Sequence, residues 1–286
     1  MLVSFNYHNR NSLIEKIDPR ARWIYSILIL FAITLFWDIR FLLFFLALNL
    51  GQYYLARLTW KETRRAWGFI FFIMSMMVIV NTLITSAGTI REVMQGGHPI
   101  VAISIPIFGW SLDFTLTIER LWFALTQVVR ILAISALFLV IPFTMDPRQY
   151  GATFRGLGLP DRLAYSLDLA FRFVPTLGRD FQLTLDAQRA RGYEVEKLDG
   201  GLFAQIRKMA PLVVPVTMNA ILSGEDITNA MDLRCFGLHR RTWIEQLKYR
   251  RLDYFVIGMG ALLLVASIVL KILGYGDFWL PPALLS

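Results

Sequence analysis

Five long apolar runs limit this chain to a membrane fold. They are residues Trp23–Trp37, Phe41–Ala56, Ala66–Ser86, Leu116–Phe143 and Tyr254–Leu273. Crossing a hydrocarbon core of about 30 Å takes roughly 20 apolar residues of helix. Only helices and closed barrels satisfy every backbone group there. The last three runs reach that length. The first two fall short and meet at a tight Asp38-Ile39-Arg40 corner, which reads as a hairpin of two short spanning helices. Only 17% of the 286 residues are charged, too few for an ordinary soluble surface.

Between the fourth and fifth runs the chain changes character. Residues 144–252 are charged and too polar to span, yet they keep apolar faces. Asp146-Pro147 repeats the helix start at Asp18-Pro19, with Asp to cap free amides and Pro suited to a first turn. From Asp161, residues Leu163, Leu167, Phe171 and Val174 share one face of an amphipathic helix. Pro175 and Gly178 kink that helix, which continues to Arg191 and stops at Gly192. After Gly200-Gly201 another helix begins at Leu202, is bent by Pro211 and Pro215, and ends at Arg234. Hinge and static kink stay equally open for these prolines.

The expected fold is therefore an all-α membrane protein of about five transmembrane helices. A large set of amphipathic helices lies between spans 4 and 5. Residues 1–143 carry a basic N-terminal segment and four spans, 144–252 the polar helical region, and 253–286 the fifth span and a short tail. Residues Ala87 to Phe114, rich in Gly and Pro around a β-like Ile100–Phe108, form a loop or short hairpin. The N-terminus is polar, with no cleavable signal peptide visible.

Charge sets the expected orientation. One side holds Arg10, Lys16, Arg20, Arg22, the Arg57–Arg65 corner and sixteen Lys and Arg between Arg148 and Arg251; the other holds Arg40 and Arg91. By the positive-inside rule the N-terminus and the polar helices are cytoplasmic and the C-terminus is external. The net charge of +8 thus reports topology, and no nucleic-acid partner is needed to explain it.

Several chemistries are excluded. Cys235 is the single cysteine, and His8, His98 and His239 lie far apart, so neither a disulfide nor a metal site is expected, and no cofactor. No phosphate-binding Gly-rich loop, Gly-x-Ser-x-Gly or His-Glu-x-x-His occurs, so the chain is not read as an enzyme or an ATPase. Arg130 lies inside the fourth run and costs about 2.5–3.5 kcal/mol there, so it faces protein. A buried Arg bonded to neighbouring carbonyls outweighs a transport role for it. Asn49 and Gln52 are expected to face other helices rather than lipid, and Asn81, Thr126 and Gln127 to make helix-packing bonds.

Two helix ends match. One reads Ala187-Gln188-Arg189-Ala190-Arg191-Gly192-Tyr193, the other Ala230-Met231-Asp232-Leu233-Arg234-Cys235-Phe236. Each has Ala, then Arg four residues on, then a small residue and an aromatic. Positions i and i+4 share a helix face, so each end presents Arg beside a bare Ala surface. Taken alone, Arg191 and Arg234 could simply complement their helix dipoles.

The residues resemble the transmembrane T component of energy-coupling factor transporters, a group that includes the cobalt- and biotin-transporter T subunits. Ile17-Asp18-Pro19-Arg20 looks like the family's opening Leu-Asp-Pro-Arg. Leu157-Gly158-Leu159-Pro160 and Leu169-Ala170-Phe171-Arg172-Phe173-Val174-Pro175 resemble its Leu-Gly-x-Pro and Leu-Arg-Phe-x-Pro signatures. Ala190-Arg191-Gly192 is the first Ala-Arg-Gly motif intact; Pro211-Leu212 and Ala230 to Arg234 resemble the approach to the second, in which Leu233 and Cys235 replace Ala and Gly. Five motifs in order across most of the chain carry more weight than any one tripeptide.

The resemblance implies a coupling subunit of a vitamin or transition-metal importer. Its ATPase-coupling residues are Ala187, Ala190, Arg191, Gly192, Ala230 and Arg234. The two Arg would each pair with acidic residues in a groove of one of two ABC-type ATPase subunits, while Pro175, Pro211 and Pro215 let the arms move. A separate small membrane subunit would bind the substrate. The rival readings are a self-sufficient carrier and a membrane enzyme. Clustered intramembrane carboxylates would favour the first and a nucleophile or metal cluster the second; the sequence has neither.

Overall fold

The computed structural model describes residues 10, 12–84, 99–107, 110–193, 202–238, 247–277, 279 and 281. At residues 81–84, 99–107, 110–117, 119–120 and 202–208 it describes the backbone alone. Among the described residues the chain forms two compact units, one within residues 10–145 and 248–281, the other within 146–247.

In the first unit the five apolar runs are helices: α1 (Pro19–Thr34), α2 (Ile39–Leu55), α3 (Trp60–Ile84), α4 (Ile118–Thr144) and, much later, α8 (Arg251–Ile272). Three are long and apolar enough to cross a bilayer, over Trp60–Val80, Leu121–Thr144 and Arg251–Ile272; Ile39–Leu55 is apolar but shorter. The hairpin between α3 and α4 pairs β1 (Pro99–Ile107) antiparallel with β2 (Trp110–Thr117). Leu116 belongs to this second strand, so α4 starts two residues later than its apolar run suggests. The Gly88, Gly96 and Gly97 part of the loop and the Gly200-Gly201 break lie outside the described residues.

The same local device starts two of these helices. The Asp18 and Asp38 carboxylates accept the backbone N–H of Arg20 and Arg40, both at 2.9 Å, which satisfies an amide the helix cannot. Each Arg then folds its guanidinium back onto the same Asp, at 2.8 and 2.7 Å.

α4 is the hub, packing on α1, α2 and α3, whereas α8 packs on α1. Its apolar window is 44% buried, against 17% for α3 and 11% for α8. Ile29, Ile33 and Phe36 interlock with Leu42 and Phe45 of α2 and with Val129, Ala133 and Leu137 of α4. On the far side of α4, Ala136, Leu139 and Phe143 receive Trp67 of α3. Among helices in lipid, close packing and hydrogen bonds hold the bundle, not exclusion from water. Exposed Phe69, Phe72, Phe255 and Leu262 therefore cost nothing.

The polar residues inside this bundle do structural work. Asn49 is fully buried and donates from Nδ2 to the Ala133 carbonyl at 2.9 Å, joining α2 to α4. Thr126 does not bridge helices; its hydroxyl donates to Trp122 O one turn back at 2.9 Å, because that carbonyl is its nearest acceptor in lipid. Arg130 donates to the Phe36 carbonyl just beyond α1 and stacks over the Trp37 ring at 4.1 Å. The intramembrane charge thus caps the end of a neighbouring helix.

The second unit holds a 3₁₀ turn (Pro147–Gln149), α5 (Tyr150–Gly156), α6 (Asp161–Ala190) and α7 (Leu202–Leu233). Asp146 caps the turn through Arg148 N at 2.9 Å. α5 packs against the start of α6 at backbone distance. A Cβ on Gly151 would lie 2.7 Å from Ala164 O and 2.8 Å from Asp168 Cβ. Tyr150 stacks on Phe171 at 4.9 Å. α6 accordingly buries Ala164 and Asp168, with Phe171 half-buried beside them; Leu163 and Val174, which share an apolar stripe with Phe171, are 55% and 37% exposed. A helix that meets its neighbour through glycine buries small residues there and leaves the large ones outside.

Candidate functional site

α6 and α7 run antiparallel and end in the two Arg motifs. Their C-termini are built alike. At the first, Gly192 N–H donates to Arg189 O at 2.9 Å and Tyr193 N–H to Gln188 O at 3.0 Å. At the second, Cys235 N–H donates to Asp232 O at 2.9 Å and Phe236 N–H to Met231 O at 3.0 Å. This is the Schellman closure, which requires a left-handed residue one past the cap. Gly192 has φ +83° and Cys235 φ +54°. The departure from glycine at 235 therefore preserves the shape of the tip and places its strain on the backbone of a cysteine. Arg191 and Arg234 both occupy the cap position, Tyr193 and Phe236 the position after the left-handed residue.

Ala187, Ala190, Arg191, Gly192, Ala230 and Arg234 are all exposed. Three guanidinium groups in this unit have acidic partners: Arg155 with Asp161, Arg172 with Asp168 at 3.0 Å, Arg189 with Asp186 at 3.7 Å. Among the described residues no ion pair or hydrogen bond involves the side chain of Arg191 or Arg234.

The structure does not bring the two tips together. Tyr165, near the start of α6, donates its hydroxyl to Met231 Sδ at 3.9 Å and meets the Phe236 ring at a tilt, 4.8 Å between centroids. Gln188, near the end of α6, reaches the first third of α7. From Tyr165 to Arg191 is about 40 Å of helix at 1.5 Å per residue.

Each tip leans on the opposite arm. Pro215 has no N–H to give the carbonyl four residues back, so Pro211 O is left without its helical partner. Gln188 Nε2 donates to that oxygen at 3.3 Å. At the other tip the support is Tyr165 against Met231 and Phe236. α6 and α7 stay helical through Pro175, Pro211 and Pro215. Gln188 and Tyr165 were not singled out by the sequence, although the Pro211–Pro215 spacing does announce an orphaned carbonyl.

α7 also carries an apolar band. Val214, Met218 and Leu222, spaced at i and i+4, are 58%, 53% and 52% exposed, with Val213 and Ile221 beside them. Among the described residues no cluster of His, Cys, Asp or Glu could hold a metal ion.

Residues 10–244 match the family described as cobalt transport protein, CbiQ. Relatives called energy-coupling factor transporter transmembrane protein EcfT include one from Thermosediminibacter oceani, 27% identical over 67% of this chain and 79% of that one. Another, from Lactobacillus helveticus, is 26% identical over 92% and 93%. A putative ABC transporter ATP-binding protein of Bifidobacterium longum is 24% identical over 82% of this chain but only 29% of its own length. With the family match spanning both units and both helix tips, the chain belongs to the CbiQ family and is a membrane T component of the energy-coupling factor type.

Proposed function

We propose that this T component couples two cytoplasmic ABC-type ATPase subunits to a small membrane subunit that binds a vitamin or a transition metal. Arg191 and Arg234 each enter an acidic groove on one ATPase. The observation that carries the reading is the duplicated tip: the same closure, the same exposed Arg at the cap, and no carboxylate partner for it among the described residues. A desolvated bidentate Arg–carboxylate pair is much stronger than an exposed one, so a groove gives these groups what their own chain does not. Two tips about 40 Å apart along α6 suit two subunits better than one. The Bifidobacterium relative, named an ATP-binding protein, supports the same association, since the matching portion is a minor part of a longer chain.

The exposed Val214-Met218-Leu222 band is the surface for the substrate-binding subunit, because an apolar strip on a polar unit marks a partner site. The N-terminus and the α6–α7 unit face the cytoplasm and the C-terminus lies outside, as the charge bias requires. Residues 144–252 act as one coupling region, with Pro175, Pro211 and Pro215 allowing the arms to flex.

The test is co-purification. The tagged chain brings down two ATPase subunits and a small hydrophobic protein. Arg191→Glu with Arg234→Glu releases the ATPases while membrane insertion stays normal. ATPases retained by the double variant refute the docking role, and transport in vesicles by the chain alone would favour a self-sufficient carrier instead.

A further inference from the structure

Among the described residues the chain crosses between its two units twice, after Met145 and before Lys248. Both crossings are held, on the membrane-unit side, by the same short stretch, residues 10–22. Arg22, 6% exposed, donates from Nη1 to Thr144 O at 3.1 Å and to Thr144 Oγ1 at 2.9 Å. Arg10 donates to Phe143 O at 3.0 Å and pairs with Glu62 of α3 at 2.8 Å. Two cations therefore satisfy carbonyls at the end of α4 that no helical N–H reaches.

The second crossing is held differently. Asp253, fully buried, accepts the backbone N–H of Asp18 at 2.7 Å and that of Arg250. Arg20, held by Asp18, lies over the Tyr249 ring at 4.0 Å. The stretch is itself secured. Ser12 and Glu15 cap each other at 3.0 and 3.3 Å, and Ile14 is buried with Ala56 and Val140. One element thus grips the last turn of α4 and the first turn of α8, which are far apart in sequence.

We propose that residues 10–22 form a two-point clamp with Arg22 and Asp253 as positioning residues. The clamp keeps both exits from the membrane unit rigid while the arms move. It rests on the coupling function proposed above. Along the described chain, a push delivered through α6 and α7 reaches the membrane unit at these two exits. An exit that frays absorbs the movement as local unwinding; one that is pinned passes it on.

The test has two arms. In the isolated chain in nanodiscs, amide hydrogen exchange reads the clamp without any partner. Arg22→Gln speeds exchange around Phe143–Met145 by about tenfold or more, the loss of a hydrogen bond from a charged group, and leaves the start of α8 unchanged. Asp253→Asn does the reverse, speeding exchange at Asp18, Asp253 and Tyr254. Arg22→Lys restores part of the protection, and Thr144→Val, which removes the hydroxyl that accepts from Arg22 and donates to Val140 O but keeps the Thr144 carbonyl, gives a smaller effect should Arg22→Gln fail to fold. Unchanged exchange at both exits overturns the clamp. In the full transporter in proteoliposomes, both variants keep their ATPases and their ATP hydrolysis but move severalfold less substrate per ATP. Exposed exits with an unchanged substrate-to-ATP ratio overturn the positioning role. If the wild-type chain binds no ATPase, the coupling function falls on that result, and the exchange arm still decides whether the clamp exists.

Discussion

Replacing Cys235 with glycine isolates the one difference between the two tips that falls on the left-handed residue. A left-handed backbone costs a residue with a Cβ roughly 1–2 kcal/mol. Glycine removes that strain but gives up about 0.5–1 kcal/mol of chain entropy on ordering. The net gain for Cys235→Gly, at φ +54°, is about 0.5–1 kcal/mol in closing the end of α7. With RT near 0.6 kcal/mol, exchange of the Cys235 and Phe236 amides, which donate to Asp232 O and Met231 O, slows by about two- to fivefold. Hydrogen exchange with fragment-level resolution over 231–238 measures this directly. Cys235→Ala keeps the strained backbone and loses the thiol, so it leaves the rates near wild type. The mirror change, Gly192→Cys, speeds exchange at Gly192 and Tyr193 by a similar factor; no atom within 4 Å of a Cβ at 192 would confuse the reading with a clash. Slowing by Cys235→Ala equal to that by Cys235→Gly would show that side-chain chemistry, not backbone conformation, sets the stability of the tip, and the argument would fail.

Two further outcomes follow from the arms. Pro215→Ala returns an N–H to the Pro211 carbonyl, so Gln188→Ala, costing about 1 kcal/mol in the wild-type chain, becomes nearly neutral in that background; a double-mutant cycle on local exchange in α6 and α7 reads the coupling. Gly151→Ala places a methyl 2.7 Å from Ala164 O, which cannot retreat without moving α6, and destabilises the α5–α6 contact by about 1–3 kcal/mol, visible as faster exchange across Tyr150–Gly156.

The helices and their starts were legible because they depend on neighbours in sequence. An apolar run long enough to cross lipid, or an Asp before Pro and Arg, acts over one turn or one helix. Asn49 was legible for a related reason: an amide in an apolar helix has to find a partner, and it found Ala133 O. The two Arg tips could be read from Ala-to-Arg spacing alone, and the structure gives both the same closure. What they sit beside could not. The antiparallel register of α6 and α7, which separates the tips and lets Tyr165 and Gln188 brace them, is set by contacts across 23 to 71 residues of sequence. The packing face of α6 was misjudged for a similar reason. Periodicity finds the apolar stripe, but Gly151 on another helix selects the small residues Ala164 and Asp168 and leaves Leu163 outside. Thr126 could have bonded outward or backward, and sequence does not say which.

The short first hairpin has an effect on the membrane itself. α1 and α2, with 16 and 17 residues, are about 24–26 Å long, less than a typical hydrocarbon core of about 30 Å. Their corner is finished by the C-terminal tail, where Trp37 N–H donates to Gly276 O at 2.8 Å and the Arg40 guanidinium lies 4.2 Å over the Trp279 ring. If this hairpin crosses the bilayer as the expected pair of short spans, lipid beside it thins by several ångströms to match it, at fractions of a kcal/mol per ångström. A dimple of that kind draws in whatever else in the bilayer is short, so the flank favours thin neighbours before any side chain has touched them.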